Sequence, residues 1–281
     1  MDAKWILVDS QKKLTRAVND FERAKIIGID TEYDSFRYFR EKLCLIQTYA
    51  NKTTYLFDPL GDINLSFLNK YFSSRSLVKV LHAADNDIRL LKRDYKFNFN
   101  NIFDTHRAAL ILGFQQLSLE KMIKEFVGEE LKKSKKIQRS RWDVRPLTEA
   151  QLEYAVQDVI YLPALYKKQL AELEARDLKD AAAEACVKIA DTDWREKRID
   201  RRGQTRIKGY DFLKQEQKEL LKRLYIWRFY RAKQENRAVF MFLPDNNLLA
   251  LAQDTEHPEK YLSQRKMKVY GEEIDRIIKN F

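Results

Sequence analysis

Over its first hundred residues the chain switches repeatedly between two hydrophobic periods, and that alternation restricts the fold more than any other feature. The runs KWILVD (4–9), KIIGIDTE (25–32), KLCLIQTYA (42–50), TTYLFDP (53–59) and LVKVLH (77–82) are short, apolar and largely β-branched or aromatic. That is the composition of buried strands. Between them, SQKKLTRAVNDFERA (10–24), a segment near 64–72 and DNDIRLLKRDY (85–95) carry apolar residues at helical spacing. Asn51-Lys52 alone separates two of the strands, which predicts an antiparallel hairpin. Strands interleaved with helices bury a sheet on both faces, so the expected architecture is α/β, a three-layer domain with a mixed, partly antiparallel sheet.

From Asp104 onward the period is helical. DTHRAALIL (104–112) and LSLEKMIKEFVG (117–128) keep the 3–4 spacing, Asp104 suits an N-cap, and Gly128 suits a C-cap. Residues 129–147 break the pattern. Thr148 with Gln151 three residues later resembles a capping box opening the helix EAQLEYAVQDVIYL (149–162), with a bend expected at Pro163. Residues 191–210 are polar, basic and hold two glycines, which reads as a linker. The expected division is a first domain over 1–190, this linker, and a small all-helical domain over 211–281.

The net charge of +11 points to an anionic partner, nucleic acid being the commonest. It is concentrated: residues 191–281 hold 21 basic and 15 acidic side chains. The seven glycines form neither a G-x-G-x-x-G nor a P-loop pattern, which argues against a phosphate-cradling nucleotide site. No apolar run approaches the roughly 18 residues of a membrane span. The start MDAKWILVDSQKK lacks the marks of a signal peptide. Cys44 and Cys186 have no partner at metal-ligand spacing and are expected to be reduced core thiols. A cytoplasmic protein without membrane association, and a monomer, is the expectation.

The chemistry begins at IIGIDTEYD (26–34), where an apolar strand ends in two carboxylates. Asp30 and Glu32 share one face, about 7 Å apart along the strand. Such like charges repel unless a cation lies between them. Taken alone, the pair reads as a strand emerging into solvent. It has companions, however. VLHAADNDIRLL places His82, Asp85 and Asp87 where a strand passes into a helix, and LEYAVQDVIYL places Tyr154 and Asp158 on one helical face. Together these are the parts of a carboxylate cage for two hard divalent cations.

The ordered set Asp30-x-Glu32, His82 with Asp87, and Tyr154-x-x-x-Asp158 closely resembles the DEDD 3′–5′ exonucleases with a tyrosine in the third motif. The connecting segments DTEYDSFRYFREKLCLIQ, LHAADNDIRLL, FDTHRAALILG and RWDVRPLTEAQLEYAVQDVIYL are similar to ribonuclease D. LLKRLYIWRFYRAKQENRAVFMFLPDNNLLALA resembles the helicase and RNase D C-terminal (HRDC) domain, here in one copy. The resemblance implies an RNase H-like exonuclease domain followed by an HRDC domain. It also implies two Mg²⁺ or Mn²⁺ ions held by Asp30, Glu32, Asp87 and Asp158. Asp30 would bridge them, Glu32 and Asp158 would complete one site, and Asp87 would serve the other. Tyr154 would orient or help deprotonate the attacking water, and nucleoside 5′-monophosphates would leave from a free 3′ end. Asp85 lies about 200° around the helix from Asp87, and the resemblance selects Asp87.

Substrate contacts follow less directly. LKKSKKIQRSRWDVR (131–145) has seven basic residues and one acidic, the pattern of a solvated loop or of a phosphate-contacting one. Lys135, Gln138, Arg139 and Trp142 match the Lys, Gln or Ser, Arg and Trp of ribonuclease D-like proteins, and with His82 are the expected substrate-binding residues. Arg141 departs from that family, which often has Asp before the Trp. Residues 195–237 hold fifteen basic and six acidic residues. Their charges are read as RNA-binding, and Trp227 and Phe229 mainly as packing. The expected activity is exonucleolytic trimming of structured RNA such as tRNA precursors. A DNA exonuclease of the proofreading or Werner type and an inactive RNA-binding adaptor are the alternatives.

Overall fold

Strands β1 (Trp5–Val8), β2 (Ile26–Asp34), β3 (Lys42–Ala50), β4 (Thr53–Phe57), β5 (Val78–Leu81) and β6 (Ile102–Asp104) form one sheet in the order β1-β4-β3-β2-β5-β6. The computed structural model describes residues 4–131 and 134–280. β1 pairs in parallel with β4, β2 with β5, and β5 with β6, whereas β3 and β4 are antiparallel, so the sheet is mixed as expected. The hairpin turn has Asn51 and Lys52 at φ 47° and 63°. Positive φ at both central positions is the turn whose twist matches that of its strands. β6 was not foreseen in the sequence. Three residues are too short to show a period, and this strand exists through its pairing of Lys79 with Ile102 and Leu81 with Asp104.

The helices of this part are α1 (Gln11–Arg23), α2 (Leu68–Phe72), α3 (Asp85–Tyr95), α4 (Thr105–Ile111), α5 (Leu119–Val127), α6 (Lys135–Gln138), α7 (Glu149–Ile160), α8 (Leu162–Ala175) and α9 (Lys179–Ala190). Ile27 and Ile29 of β2 join Ile46, Phe57, Phe21 of α1, Phe72 of α2 and Leu91 of α3 in one cluster. On the other face, Val80 meets Val159, Leu162 and Leu165, while Cys44 and Leu56 meet Tyr154, Ala155 and Val156. Alternation along each strand thus feeds two cores, one per face. Both cysteines are free thiols and buried.

Local signals set the helix ends. Thr148 and Gln151 form the reciprocal capping box at the start of α7, and Gly128 closes α5 in the left-handed conformation. The expected bend is a break: α7 stops at Ile160, and α8 begins with Pro163 in its first turn, where the missing N–H costs nothing.

The chain separates into two compact units: residues up to Asp34 with Leu43–Arg195, and Ser35–Lys42 with residues from Glu196 onward. The second unit holds α10 (Gln215–Gln234), α11 (Val239–Phe242), α12 (Asp245–Gln253) and α13 (Gln264–Lys279). Its core gathers Leu220, Leu221, Leu224, Phe242, Leu248, Leu251 and Ile274, with Phe39 contributed by the 35–42 segment. Arg228 is buried there, donating to the Leu243 carbonyl at 2.9 Å and to Asp245 at 2.6 Å. Trp227 and Phe229 pack against this core. Among the described residues no helix is long and apolar enough to cross a membrane.

Candidate active site

The site grows out of the alternation in β2. Since Ile27 and Ile29 face the α1 side, Gly28, Asp30 and Glu32 face α7 and α8. Gly28 permits an unusually close approach. A Cβ there would lie 2.7 Å from the carbonyl oxygen of Val159 and 3.2 Å from Cβ of Leu162. The α7–α8 junction therefore rests directly on the strand. Asp158, the residue before Val159, is carried to the two strand carboxylates. One oxygen from each of Asp30, Glu32 and Asp158 lies within 4.8 Å of the others. Glu32 and Asp158 are buried, and Asp30 is half-buried. Three carboxylates gathered out of water repel one another strongly, and a hard divalent cation is the partner that reverses the sign of that interaction.

Tyr154 lies one turn before Asp158 on α7 and is buried. Burial, followed by the charges of Asp158, Glu32 and Asp30, holds its hydroxyl far above the ordinary tyrosine range. It is therefore a neutral phenol at physiological pH. Trp142 lies against it, 1% exposed, with its indole N–H donating to the Gln138 carbonyl at 3.2 Å.

Asp87, on the first turn of α3, accepts a hydrogen bond from the hydroxyl of Thr31, the residue between Asp30 and Glu32. It does not belong to the cluster of three. Burial pushes its pKa up to about 6, against the opposing pull of the Thr31 bond. Asp85 turns instead to Arg107, at 3.2 Å. Asp104 caps α4 by accepting from the Arg107 N–H at 2.8 Å and also accepts from the Ala84 N–H at 2.7 Å. One buried carboxylate thereby sets the starts of both α4 and α3.

His82 follows the end of β5, its Nδ1 2.8 Å from the Thr105 hydroxyl. That hydroxyl donates to the Leu81 carbonyl at 3.0 Å, so Nδ1 carries the proton and Nε2 is the acceptor in the neutral ring. Lys135, Gln138 and Arg139 are exposed on and just after α6, whereas Lys132 and Lys133 of the same basic run lie outside the described residues.

Further residues hold this arrangement in place. Arg145 grips Asp58 with two bonds of 2.5 and 2.7 Å and donates to the Cys44 carbonyl at 2.6 Å. It ties the loop carrying Trp142 to β3 and the end of β4. Arg141, the departure noted in the sequence, pairs with Asp143 through bonds of 2.7 and 2.9 Å. Gln151, besides its capping role, donates to Ser140 at 3.0 Å. Thr31 and Arg145 are recognisable only once their distant partners are in place.

Residues 5–174 match the family described as 3′–5′ exonuclease. An exosome complex component 10 homolog of Drosophila melanogaster is 29% identical over 262 residues, covering 90% of this chain and 29% of that protein. This chain therefore spans under a third of that relative's length. Ribonuclease D of Shewanella sp. (strain ANA-3) is 28% identical over 280 residues, covering 96% of this chain and 71% of that protein. The catalytic core of RRP6 from Trypanosoma brucei has the same fold, with a TM-score of 0.87 at 22% identity over 99% of this chain and 80% of that one. Nucleases of this family use divalent metal ions, and the acidic donor set of Asp30, Glu32 and Asp158 fits such ions. The matched span contains β2, α3 and α7, the elements that carry all four carboxylates and the tyrosine, and the chain belongs to the 3′–5′ exonuclease family.

Proposed function

We propose that this chain is a metal-dependent 3′–5′ exoribonuclease that trims structured RNA from its 3′ end and releases nucleoside 5′-monophosphates. The observation that carries the reading is the approach of Asp30, Glu32 and Asp158 to within 4.8 Å beside a buried tyrosine. When bound, two divalent ions would supply charge neutralisation, an activated water and stabilisation of the leaving 3′ oxygen. Asp30, Glu32 and Asp158 are the residues to hold one ion, and Asp87, with Asp30, the other.

The chain's own groups do the positioning. Tyr154, kept protonated by burial and by three neighbouring carboxylates, orients the attacking water through its hydroxyl rather than acting as a phenolate base. Trp142 is better read as the support of Tyr154 than as a substrate contact, since its ring is enclosed. His82, Lys135, Gln138 and Arg139 are the residues to contact the RNA. The helical second unit is read as an HRDC domain. The relatives named ribonuclease D and exosome complex component 10 favour RNA over DNA and over an inactive adaptor, and tRNA precursors are the first substrates to try.

The test uses a 5′-labelled structured RNA with a 3′ tail and its DNA counterpart, each with Mg²⁺, Mn²⁺ or EDTA. A ladder shortening from the 3′ end of RNA, in metal only, is the expected result. Equal loss of DNA would replace the reading with a general exonuclease. Binding without cleavage in either metal would replace it with an RNA-binding adaptor.

A further inference from the structure

Thr31 is the residue between Asp30 and Glu32, and alternation turns its side chain to the opposite face of β2. That is the face of Ile27 and Ile29, which pack with Ile88 and Leu91 of α3. The pairing of β2 with β5 runs from Ile26–Val78 to Gly28–Val80, while β2 itself continues to Asp34. Thr31 therefore lies beyond the paired part of β5, where the chain turns into α3. There its hydroxyl donates to Oδ1 of Asp87. One strand thus presents two carboxylates on one face and, from the residue between them, a grip on the fourth carboxylate from the other.

The start of α3 is held by other means. Ala83 adopts a left-handed conformation, φ 56°, that a residue with a Cβ rarely takes. The next N–H, of Ala84, donates over 2.7 Å to Asp104, whose carboxylate is fully buried and also caps α4. This anchor fixes the backbone of the turn that leads to Asp87. It leaves the Asp87 side chain to choose among its staggered rotamers. The Thr31 hydroxyl selects one of them. Because Thr31 shares its strand with Asp30 and Glu32, the selected position is registered to those two carboxylates within a single residue of backbone.

We propose that Thr31 is a positioning residue for the second metal ion: by holding Oδ1 of Asp87 it turns Oδ2 toward the ion shared with Asp30. The role rests on the two-ion reading given above. Loss of the hydroxyl weakens the ion that Asp87 serves and spares the one held by Asp30, Glu32 and Asp158, whose side chains gather on the other face. A hydrogen-bond partner of a ligating carboxylate acts on affinity in this way because it fixes the orientation that the metal needs.

The experiment counts ions apart from cleavage. The full chain is titrated with MnCl₂ in the presence of 5′-AMP, a product of the proposed class, and free Mn²⁺ is read from its EPR signal against a protein-free blank. Wild type is expected to bind two ions. Thr31→Val keeps the β-branched shape and is expected to hold one ion as wild type does and the other about tenfold less tightly. The Mn²⁺ concentration giving half-maximal RNA cleavage should rise by a similar factor. Thr31→Ser, which restores the hydroxyl, is expected to recover both readings. Tyr33→Phe is the control: Tyr33 lies on the same strand face and its buried hydroxyl meets no hydrogen-bond partner, so both ions should stay. Should Thr31→Val fail to fold, Thr31→Ala replaces it with the same expectation. Two ions of wild-type affinity in the folded variant would overturn the role of Thr31 and leave the two-ion exonuclease standing. An equal loss in Thr31→Ser or Tyr33→Phe would overturn it too, by assigning the effect to packing. Wild type binding fewer than two ions would remove the two-ion reading and the role of Thr31 with it.

Discussion

The indole of Trp142 lies against the ring of Tyr154, with centroids 6.0 Å apart and planes at 54°. They are twelve positions apart in the chain, and the loop between is held to the sheet by the Arg145–Asp58 pair. The tryptophan fixes where the phenol points, and the phenol stands over the carboxylates. Tyr154→Phe keeps this packing and removes only the hydroxyl. Cleavage should fall about 10²-fold, with a stability change under about 1 kcal/mol. Trp142→Ala should cost about 3–5 kcal/mol and lower cleavage without altering any carboxylate. Urea unfolding and single-turnover cleavage on the same preparations check both, and a full-rate Tyr154→Phe would remove the hydroxyl from the mechanism.

Asp30 lies with Glu32 and Asp158 in a cluster in which one oxygen from each is within 4.8 Å of the others. Asp30→Asn removes one of three mutually repelling charges, so the metal-free protein should melt no lower than wild type. On the proposed reading the same change also removes a metal ligand. Wild type at a metal concentration 100 times its Kd should gain about 2.7 kcal/mol, and the variant should gain little while losing cleavage. Thermal melts with MnCl₂, MgCl₂ and EDTA read this directly. An equal metal-dependent shift in both proteins would place the ions elsewhere.

Gly28 controls the spacing of the site from a distance. Its substitution by Ala forces a methyl group to within 2.7 Å of the Val159 carbonyl oxygen, so α7 must lift from β2. The expected cost is about 1–3 kcal/mol, with a loss of cleavage larger than the loss of stability, because Asp158 moves with Val159. Melts and rates compared at a temperature where the variant is fully folded separate the two effects.

Lys79 lies wholly inside β5, its ammonium donating to the Ser74 and Leu77 carbonyls. Burial pushes its pKa from 10.5 down to about 8. Between those values the unfolded chain binds more protons than the folded one, so this group's contribution to stability rises with pH from about 8 to 10.5 and is least below 8. Wild type should therefore gain on Lys79→Met by about 3 kcal/mol between pH 7 and pH 10.5. Urea titrations of both proteins across that range measure the difference, and a flat difference would mean that Lys79 titrates alike in the folded and unfolded chain.

Much of the molecule was legible in the residues, for local reasons. Period-2 runs marked five of the six strands, Asn51-Lys52 marked the hairpin, and Thr148 with Gln151 marked the start of α7. Each of these signals is read within a few residues, because backbone sterics and capping act over that range. β6 escaped, since a three-residue strand has no period and is defined by its neighbour. The four carboxylates and the tyrosine were named from spacing and resemblance, which identify residue types in order along a chain.

Tertiary structure alone decided which of them meet. Asp30, Glu32 and Asp158 converge because Gly28 lets α7 and α8 rest on β2, a contact between residues some 130 positions apart. Asp87 is tied to Thr31, Asp104 sets two helix starts, and Arg145 braces the tryptophan loop. None of these long-range bonds leaves a periodic trace. The same holds for residues 35–42, which follow β2 in sequence yet join the core of the helical unit through Phe39. Sequence patterns report which side of an element is apolar. Which apolar sides meet, and which charges are thereby brought together out of water, is settled only by the packing of the whole chain.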